Sequence, residues 1–224
     1  PLPLRFSDEF PVPREMSKSD IETVIESFAA GARRAREAGF DAIELHGAHG
    51  YLINQFLSPL TNQREDEYGG SVENRMRFLL EVLGAVKEEW PAEKPILVRL
   101  SAVDYYEGGV TLNDTVQLAK ELRKAGVDVI DVSSGGIMPV APKSGPGYQV
   151  PMAEAVKEGA EIPTIAVGLI TEPEHAEEIL FNERADLVAL GRELLRNPHW
   201  PLYAAERLGV EVDWPKQYIR AKRR

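Results

Sequence analysis

An α/β fold of repeated strand-helix units is predicted by three features of this sequence. First, short apolar runs recur along it: Ile96-Leu97-Val98, Val127-Asp128-Val129-Ile130, Thr164-Ile165-Ala166-Val167 and Leu187-Val188-Ala189-Leu190. They are continuous rather than alternating, the pattern of parallel strands covered by helices. Second, the stretches between them carry helical periodicity, and Gly39, Gly126 and Gly159 stand where a helix should stop just before the next strand. Third, polar and glycine residues gather after the strands.

Pro1 to Met16 contains four prolines and no apolar period, so it reads as an extended surface segment. Ser17 or Ser19 can cap the helix that follows, with Asp20 and Glu22 at its positive end. Ile21, Val24, Ile25, Phe28 and Ala29 form its apolar stripe, and it is expected to end near Gly39. A strand over 42–46 should lead through a long loop to a helix near 72–90. Strands at 96–100, 127–132, 163–167 and 186–190 are then each followed by a helix, near 112–125, 151–159, 172–182 and 198–208.

The residues after the strands are His46, His49 and Tyr51; Arg99, Ser101 and Asp104; Ser133, Ser134 and Gly135; Gly168; and Gly191 with Arg192. In a (β/α)8 barrel this face carries the active site, and the loops after the last two strands often hold a phosphate. Gly168 and Gly191-Arg192 fit that role through free backbone amides and an Arg charge, although tight turns alone would also need such glycines. A doubly wound sheet would show Gly-x-Gly-x-x-Gly after its first strand, and that pattern does not occur here.

The densest chemistry lies in Ile43-Glu44-Leu45-His46-Gly47-Ala48-His49-Gly50-Tyr51. Two imidazoles and a phenol at a strand end can donate protons or hydrogen bonds to one small ligand. A His at a strand end can instead be purely structural. His-x-x-His could also begin a zinc site, but it would need a third ligand, for which Glu44 is the nearby candidate; no metal is expected.

Composition narrows the remaining classes. With 224 residues, 43% hydrophobic and 28% charged, the chain is an ordinary single globular domain. It has no long apolar run and no leader pattern, so neither a membrane span nor a secretory signal is expected and the location should be cytoplasmic. Lack of Cys removes disulfides, iron-sulfur ligation and a thiol nucleophile. A net charge of -10 argues against a nucleic-acid surface; the basic run from Lys216 to Arg224 is a terminal tail.

The run His46-Gly-Ala-His49-Gly-Tyr51-Leu-Ile-Asn-Gln-Phe-Leu-Ser-Pro59, followed by Asn62-Gln-Arg-Glu-Asp-Glu-Tyr68-Gly-Gly-Ser71-Val-Glu-Asn74-Arg75, resembles the Old Yellow Enzyme family of FMN-dependent ene-reductases. The likeness continues through Val98-Arg99-Leu-Ser101, Gly168 and Gly191 to Pro198, and the His-x-x-His pair and Gln217-Tyr218-Ile219-Arg220 are similar to its thermophilic-like bacterial branch. The resemblance implies a (β/α)8 TIM barrel with FMN as cofactor and NADPH or NADH as reductant. His46 and His49 would bind the activating oxygen of an electron-poor alkene, and Tyr51 would supply the proton. Arg99 would sit by the flavin N1 and C2 carbonyl and offset negative charge on the reduced ring, while Gly168, Gly191 and Arg192 would hold its phosphate, aided by the helix start after 191. Arg220 would reach a neighbouring subunit's substrate site in a homo-oligomer, unless the tail is simply a solvated basic end.

A closed barrel needs eight strands, and this sequence offers candidates for about the last five. The chain 1–224 is therefore expected to be the C-terminal portion of one FMN-binding barrel domain, completed by a complementary N-terminal segment that supplies the first three βα units. The alternatives are a non-flavin phosphate-binding lyase or isomerase on a related barrel, or a non-catalytic assembly fragment.

Overall fold

The computed structural model describes residues 11–140 and 142–222. Pro1 to Phe10, most of the segment expected to be extended, lie outside the described residues. Helix α1 (Lys18–Glu37) begins at Ser17, whose side chain accepts from the Asp20 amide while Asp20 accepts from Ser17. This reciprocal cap satisfies two otherwise orphaned amide donors. Then come β1 (Ile43–Gly47), the short α2 (Leu52–Leu57), α3 (Val72–Glu89), β2 (Ile96–Ser101), α4 (Leu112–Lys124) and β3 (Val129–Ser133). The chain continues with α5 (Val150–Ala160), β4 (Thr164–Val167), α6 (Pro173–Phe181), β5 (Leu187–Ala189), α7 (Arg192–Arg196), α8 (Trp200–Arg207) and a 3-10 turn (Ile219–Ala221).

The five strands form one parallel sheet in the order β1-β2-β3-β4-β5. Each strand is hydrogen-bonded to the next in sequence, with a helix between, as in the wall of a (β/α)8 barrel rather than in a doubly wound sheet.

The two faces of the sheet differ sharply in burial. Leu45, Val98, Leu100, Ile130, Val132 and Ala166 are buried against the helices, where they meet Phe78, Leu79, Val82, Leu118 and Val156. The alternate residues, including His46, Leu97, Arg99, Val129, Ile165 and Val167, are only half-buried. Helices thus cover one face, and the other is the inward face of a barrel wall. A buried parallel strand pays little for continuous apolar sequence on the helix side, whereas the inner side tolerates Arg99 and Asp131 because they pair across β2 and β3, and Glu44 because it is exposed.

Two short elements differ from the sequence expectation. The expected helix at 198–208 is preceded by a separate turn of helix at Arg192–Arg196, broken at Asn197 before Pro198. Pro disfavours helical geometry in the residue before it. Helix α2 lies inside the long loop after β1 and is too short for a periodicity to reveal.

Candidate active site

At the carboxyl end of β1, the chain passes through His46 and Gly47 and then turns with His49 and Gly50 both at positive φ, 60° and 76°. The turn is pressed against the loop after β3. A Cβ on Gly136 would lie 2.6 Å from His49 Cα, and one on Gly50 would lie 2.3 Å from the Gly136 carbonyl oxygen. Only paired glycines permit this approach. Ser101 at the end of β2 accepts from the His49 amide at 3.0 Å and donates to the Gly135 carbonyl at 2.7 Å, locking three strand ends together.

The crossing gathers the three groups that the sequence singled out. The His46 ring centroid is 5.1 Å from that of His49 and 5.1 Å from that of Tyr51. Tyr51 sits at the N-terminal cap of α2 and is 63% exposed, so its hydroxyl is open to a ligand. His49 Nε2 lies 2.6 Å from the Ser133 hydroxyl. Burial, then the Arg99 charge and His46, lower the His49 pKa to about 4. Burial and Arg99 also lower that of His46. Both rings are therefore neutral at pH 7, able to donate one hydrogen bond each without presenting two adjacent cations.

The signature residues that follow are largely scaffold. Asn62 donates to the carbonyls of Phe56 and Tyr68, each at 2.7 Å, and Arg75 donates to those of Leu57 and Gly70. Arg64 forks onto Asp66 at 2.9 and 2.6 Å and donates to the Met16 carbonyl at 2.7 Å. These bonds satisfy the backbone of a loop that has no sheet to pair with. Asp104 likewise accepts from Ser58 and from the Val110 amide, so it serves the loop after β2 rather than the site.

A second feature lies beside the first, at the ends of β2 to β5. It is a cavity of about 260 Å³ reached by Arg99, Ser133, Tyr148, Gly168, Gly191 and Arg192. Gly168 has φ 129°, and a Cβ there would meet Gln149 and Tyr148 at 3.1 Å. Gly191 has open space where a Cβ would stand. Gln149 shapes the floor: its amide nitrogen donates to the Val167 carbonyl at 3.1 Å, and its oxygen accepts from Ser134 at 2.5 Å. Arg99 joins cavity and cluster, because it stands opposite His46 on one side and Asp131 on the other.

The structure thus unites His46, His49, Tyr51 and Arg99, with Gly168, Gly191 and Arg192 on the adjoining cavity. Arg220 falls in the exposed 3-10 turn, with no hydrogen-bond or ion-pair partner among the described residues. Sequence reasoning overlooked Gln149, Tyr148 and Asp131. Asp131 did leave a signal, as a lone carboxylate inside the apolar strand Val129-Ile130-Asp131-Val132; Gln149, in a loop, left none. Among the described residues no group of three His, Asp or Glu could hold a metal ion. None of the helices there is long and apolar enough to cross a membrane.

A proton-donor cluster and a glycine-lined cavity stand at the carboxyl ends of parallel strands, the face that carries the active site in (β/α)8-barrel enzymes, and this chain supplies five strands of such a wall. Comparison with known proteins narrows the class. The chain belongs to the NADH:flavin oxidoreductase / NADH oxidase family, whose description matches residues 5–211. It is 56% identical over 223 residues to an NADPH dehydrogenase of Geobacillus thermodenitrificans (strain NG80-2), covering 100% of this chain and 65% of the relative. An NADPH dehydrogenase of Clostridium acetobutylicum is 56% identical over 222 residues, with 99% and 65% covered. The chain therefore spans 65% of the length of these relatives. Among solved structures, a 2-naphthoyl-CoA reductase complex superposes with a TM-score of 0.85 at 30% identity, over 90% of this chain and 31% of that one. Morphinone reductase in complex with tetrahydroNAD gives 0.73 at 32% identity, over 92% and 55%.

Proposed function

We propose that this chain is the C-terminal part of a single-domain, FMN-dependent oxidoreductase that uses NADPH or NADH to reduce the C=C bond of electron-poor alkenes such as enones. The observation that carries the reading is the placement of His49 and Tyr51 each 5.1 Å from the His46 ring, beside a cavity that Arg99 lines.

The residues fit the flavin for which the family is named. The Arg99 Nε is buried without a hydrogen-bond partner among the described residues, although it lies 3.3 Å from Asp131 Oδ2, so the guanidinium at the cavity's edge keeps donors for a ligand. Gly168 brings backbone to a position where a side chain would crowd Tyr148 and Gln149, and Gly191 and Arg192 offer an open amide and a charge for a phosphate. When bound, FMN would supply the hydride chemistry, with NADPH or NADH as the source of electrons.

The chain's own residues would do the rest. His46 and His49, both neutral, would each donate a hydrogen bond to the carbonyl or nitro oxygen of the alkene, stabilising negative charge as it develops there. Tyr51, exposed at its helix cap, would give a proton to the α-carbon. Arg99 would offset negative charge on the ring system beside it. Arg220, exposed on the terminal turn, would complete a neighbouring subunit's substrate site in a homo-oligomer.

The test is ligand binding to the whole purified protein. Wild type should be yellow, oxidise NADPH in the presence of a cyclic enone, and give a long-wavelength charge-transfer band with a phenol. Replacing both His46 and His49 by Ala should abolish that band while the flavin stays bound. A colourless protein that does not oxidise NADPH or NADH would reject the proposal.

A further inference from the structure

The chain enters β1 and β3 by the same route. Ala38-Gly39-Phe40-Asp41-Ala42-Ile43 and Ala125-Gly126-Val127-Asp128-Val129-Ile130 differ only at Phe40/Val127 and Ala42/Val129. Each follows a helix, α1 or α4, and turns at a glycine with φ 81° or 87°. The next amide reaches back to the helix, from Phe40 to the Ala35 carbonyl at 3.1 Å and from Val127 to that of Leu122 at 3.0 Å. Ile43 and Ile130 then donate to the carbonyls of Pro95 and Pro163, each just before the following strand, at 3.4 and 3.0 Å. Asp41 and Asp128 therefore occupy equivalent places in the fold.

Asp128 clasps the strand before its own. Its amide donates to the Ile96 carbonyl at 3.0 Å, and its Oδ2 accepts from the Ile96 amide at 2.8 Å. Asp186, before β5, holds Thr164 of β4 in the same way, at 3.0 and 2.9 Å. In both cases the residue held is the first of a parallel strand and stands opposite the Asp in the register. The carboxylate thus satisfies an amide at the very start of the ladder. The clasps alternate along the sheet, because Asp128 and Asp186 precede β3 and β5 whereas Pro95 and Pro163 precede β2 and β4. Asp41, before β1, stands at the next place in that alternation. Yet neither its amide nor its carboxylate has a partner among the described residues, where β1 pairs only with β2.

We propose that Asp41 is the docking point for a parallel strand along the open side of β1, holding the first residue of that strand by both its amide and its carbonyl. The occupant is a strand of the segment expected before residue 1, and the relatives of which this chain spans 65% are long enough to supply it. The inference rests on the reading of this chain as the C-terminal part of a larger barrel and not on its flavin chemistry. The clasp dictates what the strand must be. Its first residue carries an N–H and so is not proline. Counting from Asp41 places its third and fifth residues opposite Ile43 and Leu45, and its sixth opposite His46. Ile43 and Leu45 line an apolar groove of about 370 Å³ beside β1, so the third and fifth residues are apolar. The sixth shares the inner face with His46, so Asp41 also sets which residue of the incoming segment reaches the histidine cluster. A slip of one residue would turn all of these to the wrong faces.

Backbone hydrogen exchange, resolved by residue in the full-length protein with its preceding segment, tests this. Asp128→Ala should speed exchange of the Ile96 amide about tenfold, the loss of one charge-assisted bond. Asp41→Ala should speed one amide before residue 1 by a similar factor, and that amide should begin a strand with apolar third and fifth residues. The exposed control Glu88→Ala should leave both amides unchanged. If Asp128→Ala acts on Ile96 but Asp41→Ala speeds no amide before residue 1, Asp41 is only a turn residue and the docking point is rejected while the larger barrel stands. Free exchange along the outer side of β1 in wild type would show that no strand lies there, rejecting the larger-barrel reading and the docking point together. Protection there that rises with protein concentration would assign the edge to a second copy and equally overturn the proposal. No change at Ile96 in Asp128→Ala would overturn the clasp as a source of protection. Should Asp41→Ala not fold, Asp41→Asn, which keeps an acceptor oxygen but loses the charge, should speed the same amide about threefold. No effect in that variant would overturn the proposal.

Discussion

His49 Nε2 stands 2.6 Å from the Ser133 hydroxyl, a contact that ties the loop after β1 to the end of β3 across the intervening strand. It fixes the ring of a histidine whose backbone already sits at positive φ. Ser133 is itself anchored, at 3.4 Å from the Gln149 oxygen. The ring is thus oriented by a hydroxyl that also lines the adjoining cavity. Ser133→Ala should leave the fold intact but free the imidazole. The expected cost is about 1 kcal/mol, or roughly fivefold weaker phenol binding in a spectroscopic titration. Equal titrations would show that the turn alone holds His49.

Tyr51 makes the opposite kind of prediction, because it is 63% exposed and its hydroxyl takes no part in a hydrogen bond that caps α2. Tyr51→Phe should change stability by less than about 0.5 kcal/mol. Flavin reduction by NADPH should proceed at its normal rate, while alkene reduction slows by about a hundredfold, the low end of what a positioned acid contributes. Stopped-flow measurement of the two half-reactions distinguishes them. Equal slowing of both would remove Tyr51 from the role of proton donor.

The pH dependence follows from His49. Its pKa falls from an ordinary 6.5 to about 4 in the folded protein. Between those values the unfolded chain binds a proton that the folded chain refuses, so stability is lost as pH drops from about 6.5 toward 4. The melting temperature should therefore fall between pH 7 and pH 5 by more in wild type than in His49→Gln, which has no such group. Parallel pH profiles would mean that His49 titrates normally.

The order of strands and helices could be read from the chain because parallel strands covered on one side still need apolar runs, and Gly39 and Gly126 do end their helices at positive φ, whereas Gly159 lies inside α5, which ends at Glu161 with φ 51°. The site's first members were also readable, since His46, His49 and Tyr51 are neighbours in sequence. What escaped was anything made by convergence. Gln149 approaches from the start of α5, and Asp131 matters only because register sets it beside Arg99. The motif from Asn62 to Arg75 was recognisable as a signature, yet its bonds to the Phe56, Leu57, Tyr68 and Gly70 carbonyls show that it builds the loop.

The two strands at the sheet's margins are open. Among the described residues β1 pairs only with β2 and β5 only with β4, so each has one side of its backbone unpaired. Beside β1 lies an apolar groove of about 370 Å³ lined by Val24, Phe28, Ala32, Ile43, Leu45 and Val86. Near β5, Leu187 is 50%, Phe181 80% and Leu195 83% exposed. Long open edges flanked by apolar side chains are aggregation sites unless something covers them. Each backbone group left unpaired under cover costs about 1 to 3 kcal/mol, and a handful would equal the roughly 5 to 15 kcal/mol by which a domain is stable. We expect a further segment, supplying the first three βα units, to pair with both margins and close the wall into an eight-stranded barrel. Residues 1–224 expressed alone should then aggregate or unfold without cooperativity, and colour should appear only when that segment is joined or added. A soluble, yellow, cooperatively unfolding monomer of 1–224 would show that the open sheet is sufficient.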